Sequence, residues 1–488
     1  MTCGERARSA RARAAARTIT TIVIALTSTI VIALAGCADA SGIASTAKPI
    51  APSAAGLSDH ATDPVVAADW WQAFGDTSLD EVVDRAVAGS PTLRIAQARL
   101  DRAAANVGAA RAAEGPQLNG AVDITRQRIT ENGIYPPPLA GSILNLGTLQ
   151  LNGSYEFDFF GRNRAALDAA VGAERAAQAD AAAARVVLAV NVVRSYVQLA
   201  RLTEQHDVLE SALSQRDQLL SLIRQRVSAG LDTAVELRQG EGALPETRQQ
   251  IEALDEQIAL TRHALAALAA LPPDAFAELT PHLRSVRAIP VPGVVPADLL
   301  GRRADIVAAR WRVEAASRDV ASARAQFYPN VNLTAFVGLS SIGLDRLIRA
   351  GSEQYGIGPA IRLPIFDAGR LRANLGGKTA DLDAAIQSYN GSVIDAVHDV
   401  ADQISSNRSV ERQQREQAAA LASAESAYDL ATQRYRAGLA TYLTVLNAET
   451  NVLAQRRLTV DLRARVIDSQ VMLVRALGGG YAAPSTVS

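Results

Sequence analysis

The chain has 488 residues, 48% of them hydrophobic and 20% charged, which provides for two or three ordinary domains and excludes disorder by composition. A net charge of −1, with no basic stripe interleaved with aromatics, argues against a nucleic-acid partner. Aromatic residues make up only 4% while alanine is abundant, a balance that favours long helices packed through small side chains over a thick conventional core.

The first segment reads as targeting rather than fold. Arg6, Arg8, Arg11, Arg13 and Arg17 precede an uncharged run from Thr18 to Ala35, which ends in Leu34-Ala35-Gly36-Cys37. The run is nearly long enough to span a bilayer, so a retained anchor helix is the competing reading. Small residues before a cysteine favour cleavage, and the segment resembles a bacterial lipoprotein signal. That resemblance implies removal of residues 1–36 and acylation of Cys37, with Ala38 implying export to the outer membrane. Cys3 leaves with the signal, so the mature chain has no internal disulfide and no cysteine metal site. Residues 37–68, rich in Ala, Ser and Pro, are expected to form a lipid anchor and flexible tether, and residues 478–488 a disordered tail.

Between these ends the chain repeats itself. Gly161-Arg162 and Gly369-Arg370 lie 208 positions apart, and the same offset carries Arg226, Ala229, Gly230, Leu231 and Thr233 onto Arg434, Ala437, Gly438, Leu439 and Thr441. The first repeat is assigned to 69–270 and the second to 296–477. Their proline-rich connection, 271–295, is read as an extended strap. Each repeat reads as helix, hairpin, long helix, turn and returning helix. The hairpins, at 117–160 and 330–366, alternate: Leu118, Gly120, Val122 and Ile124 share a face, as do Leu149, Leu151, Tyr155, Phe157 and Phe159. Asn119, Asp123, Gln150, Asn152, Glu156 and Asp158 stand opposite. The second hairpin repeats this through Val331, Leu333, Val337 and Leu339, then Tyr355, Ile357, Ile361, Leu363 and Ile365.

The following segments, about 162–227 and 370–436, contain no proline and reach roughly 100 Å each as continuous helix. Helices of that length need lateral partners, and the repeated alanines allow close coiled-coil-like packing. Gly230 and Gly438 stop them at left-handed caps, and Thr233 and Thr441 start the return.

On periodicity alone, strands with one apolar and one polar face cover a soluble core as well as they build a membrane barrel. The lipoprotein-like start favours the barrel. Four strands cannot close a pore, since the smallest barrels use eight, so spanning strands require an oligomer whose subunit number periodicity leaves open.

The segments "WWQAFGDTSLDEVVDRAVAGSPTL", "YEFDFFGRNR", "PIFDAGRLRANL" and "RYRAGLATYLTVLNAE", within a duplicated frame, resemble the TolC-type outer-membrane efflux proteins, specifically their lipoprotein, OprM-like branch. The resemblance runs from Asp69 to Gly478. It implies an α+β membrane protein, a homotrimer whose twelve-stranded β-barrel continues into a twelve-helix α-barrel. It further implies outer-membrane lipid around the barrel, a periplasmic membrane-fusion adaptor docking on the helix tips at Gly230 and Gly438, and an inner-membrane resistance-nodulation-division pump. Gly161-Arg162 and Gly369-Arg370 are then the strand-to-helix junctions. "LLGRRADI" departs from the family's Arg-Arg-Pro-Asp: Ala304 stands for the proline, and the helix is expected to survive with a shifted start.

A conduit works through pore width, lining charge and gating. If the Gly230 and Gly438 turns are the far tips, Asp232, Glu236, Thr444 and Asn447 converge near the narrowest point, and repeated carboxylates form a cation-attracting ring. Glu236 also reads as a capping-box partner of Thr233. Family members often carry Asp at the position of Asn447, and some at Thr444, so the resemblance leaves any acidic ring to the first repeat. Tyr435 matches a tyrosine that ties helix pairs shut in relatives, or is an ordinary packing residue. Arg226 and Arg434 are positioned to pair with acids at the tips.

Other classes fit less well. His60, His206, His263, His282 and His398 are scattered, with no metalloprotease spacing, nucleophile elbow or phosphate loop, so neither catalysis nor a metal or cofactor is expected. A periplasmic, lipid-anchored coiled-coil scaffold or adaptor explains the helices and anchor but not the duplicated strand pair.

Overall fold

The computed structural model describes residues 40–51, 66–287 and 299–481. The expected signal, Cys37 and residues 288–295 of the strap lie outside them. In chain order, α1 (Thr77–Gly89) and α2 (Pro91–Ala112) lead to β1 (Gln117–Arg128), β2 (Ile143–Phe157), α3 (Arg162–Ser228) and α4 (Ala234–Leu268). The second repeat runs through α5 (Ala304–Ala325), β3 (Asn330–Ile342), β4 (Glu353–Arg362), α6 (Arg370–Arg436) and α7 (Tyr442–Ala476). Helices α3 and α6 have 67 residues each, and α4 and α7 have 35 each, so the duplication extends to element length.

The chain divides into two compact units. The first holds residues 102–174 and 311–386 with the segment before Pro49. Its strands form one antiparallel sheet in the order β1-β2-β3-β4, so β2 pairs with β3 across the repeats while β1 and β4 remain edges. The register sets Val122 against Leu149, Leu149 against Leu339 and Val337 against Tyr355, which gathers every expected apolar strand residue of 117–157 and 330–362 on one face. That face is open to the surroundings: Leu118 is 72% exposed and Tyr355 84%. The opposite face carries Asn119, Gln150, Asn152 and Gln354 together with Phe336, Leu146 and Ile342, and Gln354 donates to Gln150 there at 2.9 Å. β4 ends at Arg362, earlier than the alternation predicts, because Pro364 has no N–H to offer a ladder.

Beneath the sheet, small residues let the helices approach closely, as the alanine content predicts. A Cβ placed on Gly172 of α3 would sit 3.1 Å from that of Ala315 on α5. Ala323, Phe327, Leu371 and Leu375 bury against one another, with Ala40 and Ile43 packed on them. Residues 40–51 are therefore not a free tether. Ser45 Oγ donates to the Asp383 carboxylate at 2.5 Å and the Ala47 amide does so at 3.2 Å, seating the segment along α6.

The second unit holds residues 175–310 and 387–488 with the segment between Pro49 and Asp101. Its main core joins Trp70, Trp71 and Phe74 to Val193, Tyr196 and Leu199 of α3 and Leu265 of α4. Asp76 caps α1 through the amides of Ser78 and Leu79 and accepts a hydrogen bond from Tyr196 at 3.0 Å. Residues 271–287, expected as part of an extended strap, instead form successive turns that bury Phe276, Leu283 and Val286 in this core. α5 survives the loss of the proline as expected but begins at Ala304 itself, so its start is not shifted; Arg303 grips Asp305 at 2.7 Å and reaches Asp399 at 3.4 Å. The start of the supposed tail is also ordered: Gly479 N–H closes on Val474 O at 2.9 Å, capping α7. Gly478 and Gly480 have φ of 106° and 78°, and a Cβ on Gly480 would fall 2.0 Å from the Ala67 carbonyl oxygen, so glycine is required there.

Candidate functional site

Two equivalent turns end the long helices. At Gly230 and Gly438, φ is 74° and 76°, the left-handed conformation that ends a helix with little cost for glycine. In each turn the next residue reaches back, Leu231 N–H to Arg226 O and Leu439 N–H to Arg434 O, both at 2.8 Å. These are Schellman caps repeated at the 208-residue offset.

The side chains break this symmetry. Arg226 donates to Asp232 from Nε at 2.9 Å and from Nη2 at 3.3 Å, a two-point grip inside the first turn. Tyr435 of α6, fully buried, donates its hydroxyl at 2.5 Å to Asp232 Oδ2, the oxygen that also accepts from Arg226 Nε, and the Arg226 guanidinium lies 4.7 Å over its ring. Burial alone would raise the Asp232 pKa, but hydrogen bonds from Arg226 and then Tyr435 outweigh it and hold the carboxyl below its ordinary range. Burial and the Asp232 bond raise the Tyr435 phenol, which therefore stays a donor. The tie thus fastens the first repeat's turn to the second repeat's long helix. In the second turn Ala440 replaces Asp232, and Arg434 is exposed with no ion pair among the described residues.

Glu236 is engaged locally. It accepts from the Thr233 backbone N–H at 2.9 Å and from the Thr233 hydroxyl, completing a capping box, and the Thr233 bonds hold its carboxyl low. It faces solvent one turn beyond Asp232 and does not touch Tyr435. The Thr444 hydroxyl bonds to that of Thr441 at 3.2 Å, and Asn447 is exposed. So Asp232 and Tyr435 are brought together, whereas Glu236, Thr444 and Asn447 stay separate within the protomer. Sequence reading missed an apolar pair at each tip: Leu231 and Val235 are 65% and 62% exposed, Leu439 and Leu443 70% and 55%. The 208 offset relates the pairs and was signal enough to find them.

At the other end of the long helices, the strand-to-helix junctions are also glycines with positive φ, 74° at Gly161 and 86° at Gly369. Arg162 pairs with Glu156 at 2.6 Å, and Asp158 caps α3 through the Arg164 amide at 2.8 Å. Asp367 does the same for α6 through the Leu371 amide at 2.9 Å, while Arg370 is exposed. Phe159 stacks on Phe157, and Phe160 on Tyr328, so aromatic rings collect where the apolar face meets the helices. Among the described residues no His, Cys, Asp and Glu group has the arrangement of a metal site.

The sequence matches the outer membrane efflux protein family in two stretches, 82–271 and 295–479. The chain belongs to that family. It is 32% identical to the multidrug resistance outer membrane protein MdtP of Escherichia coli over 428 residues, 86% of this chain and 88% of that protein. It is 42% identical to the fusaric acid resistance protein FusA of Burkholderia cepacia over 320 residues, 64% of this chain and only 60% of FusA. The outer membrane protein VceC of Vibrio cholerae superposes with a TM-score of 0.80 at 37% identity, covering 85% of this efflux-family chain and 99% of VceC. The open sheet and paired long helices are therefore a protomer of an outer-membrane efflux fold.

Proposed function

We propose that the protein is the outer-membrane channel of a tripartite efflux pump, a passive homotrimeric conduit that exports small molecules from the periplasmic side to the exterior. The observation that carries this reading is the sheet with one outward apolar face and two unpaired edges, continuous in sequence with two 67-residue helices. In hydrocarbon every unpaired backbone N–H and C=O costs several kcal/mol, so β1 and β4 must pair with β4 and β1 of neighbouring copies. Three copies then close a barrel, with the polar face of Asn152, Gln150 and Gln354 around water. The paired helices continue as the periplasmic tunnel.

In this reading the Asp232–Tyr435 tie holds the far end narrow, and Glu236 supplies negative charge to the lumen. The exposed Leu231, Val235, Leu439 and Leu443 at the tips receive the periplasmic adaptor, which couples the channel to an inner-membrane pump of the resistance-nodulation-division type. Acylated Cys37 adds a lipid anchor. Drugs or other toxic small molecules are the expected cargo, in line with relatives named for multidrug and fusaric acid resistance. No bond-making step is needed. The scaffold alternative does not account for an outward apolar sheet with open edges.

Detergent-purified protein should migrate as a heat-sensitive oligomer, insert into planar bilayers and conduct ions. A monomer without conductance, indifferent to detergent once its acyl chains are removed, would refute the assignment.

A further inference from the structure

Ten residues before Arg226 along α3 lies the most enclosed of the ion pairs that join α3 to α7; Arg201–Asp461 at 2.8 Å and Arg194–Asp468 at 2.6 Å, both more exposed, follow farther from the tip. Arg216 donates from Nε to Glu449 Oε1 of α7 at 2.8 Å, and from Nη1 to Thr247 Oγ1 at 2.7 Å and the Ala243 carbonyl at 3.1 Å, both on α4. The side chains are enclosed, with 13% of Arg216 and 2% of Glu449 exposed. Glu449 Oε2 is buried with no hydrogen-bond partner. Pro245 lies between the two α4 residues that Arg216 touches and removes one helical hydrogen bond at that level.

The duplicated fold does not require this pair. At the 208 offset Arg216 corresponds to Ala424, and Glu449 corresponds to Glu241, a partly exposed residue held by Arg238 at 2.7 Å. Stability does not explain it either. A buried ion pair is often no better than an apolar replacement, and an orphaned carboxylate oxygen adds a cost. What the pair does is fix position: Tyr435 fastens α6 to the first repeat, and Glu449 is the α7 carboxylate nearest the tip that pairs with α3, ahead of Asp461 and Asp468.

Building on the channel reading, we infer that Arg216 and Glu449 are a second closing tie, positioning residues that hold the α6–α7 hairpin against α3 and α4 above the tip. The pairs at Asp461 and Asp468 hold α7 farther from the tip, so near the tip Tyr435 holds one arm of the hairpin and Glu449 the other. Opening must then break both, and their contributions multiply in the open-to-closed ratio.

The test is the open fraction of single channels in planar bilayers for the parent, Tyr435→Phe, the paired replacement Arg216→Met with Glu449→Leu, and the combination. The paired replacement leaves no buried charge behind. It should raise the open-to-closed ratio about tenfold, the weight of one charge-assisted hydrogen bond, both alone and in the Tyr435→Phe background, while the oligomer keeps its heat stability. If the paired replacement does not assemble, Glu449→Gln, which keeps the shape and one acceptor, should give a smaller rise in the same direction. An unchanged ratio in the Tyr435→Phe background, or a loss of heat stability with no change per assembled channel, overturns the second tie while leaving the channel reading intact. If neither the parent nor any variant conducts, the channel reading falls and the tie falls with it.

Discussion

Replacing Tyr435 with Phe removes one oxygen and with it the hydrogen bond that the hydroxyl donates to Asp232 across the repeats at the tip. The Arg226–Asp232 contact, at 2.9 and 3.3 Å, lies within the first turn and persists. The ring, buried on Tyr442 with centroids 6.1 Å apart, also stays in place. A hydrogen bond to a charged acceptor contributes about 1.5–3 kcal/mol when its partner is buried. Asp232 keeps its Arg226 bonds and a side-chain exposure of 9%, which argues for the lower end. About 1.5 kcal/mol per protomer corresponds to roughly a tenfold rise in the open-to-closed ratio of each tip. Planar-bilayer recordings of the parent and variant, matched for heat-stable oligomer, read this as more frequent openings. If openings are as rare in the variant as in the parent, Tyr435 is only a packing residue and the tip is held by something else.

Asp232 supplies a pH dependence of defined sign. Its carboxyl sits below the ordinary range when tied, so the tie contributes fully above the ordinary carboxylate pKa and is lost as pH falls through the lowered value. Openings should be flat from about pH 5 to 8 and increase only in stronger acid; a rise near neutrality would contradict this. Because Arg226 neutralises Asp232, Glu236→Gln alone should reduce cation preference as much as Glu236→Gln with Asp232→Asn, measured by reversal potential in a salt gradient. Gly480→Ala, which forces a Cβ onto the Ala67 carbonyl, should destabilise the fold by about 1–3 kcal/mol in thermal or denaturant unfolding, although it lies in glycine-rich sequence that reads as a tail.

Much of the architecture is legible in the sequence because specific backbone chemistry leaves specific residues. Gly161, Gly230, Gly369 and Gly438 each occupy a left-handed conformation that few other residues accept, so they mark element ends in both repeats. Strand faces follow from period-two alternation, and Thr233-x-x-Glu236 declares its capping box. The tie was only half legible. Asp232 and Tyr435 are 203 positions apart and their repeat counterparts are Ala440 and Val227, so internal symmetry points away from the contact. Arg216 and Glu449 gave no signal at all, since charges on long helices ordinarily face water. Residues 40–51 and 478–481 read as tether and tail because segments of Ala, Ser and Gly have the same composition whether free or seated. Their packing depends on backbone amides, as at Asp383, and on close approach, as at Gly480, neither of which produces a hydrophobic period.

The central claim is that the apolar sheet face meets lipid while the polar face lines water, and neighbouring β1 positions test it most directly. Single cysteines at Val122 and Asp123, probed in intact cells with a membrane-impermeant thiol reagent, should differ: the position 123 thiol labels and the position 122 thiol does not. Equal labelling of both, or the reverse pattern, would contradict a lipid-facing barrel built from this sheet.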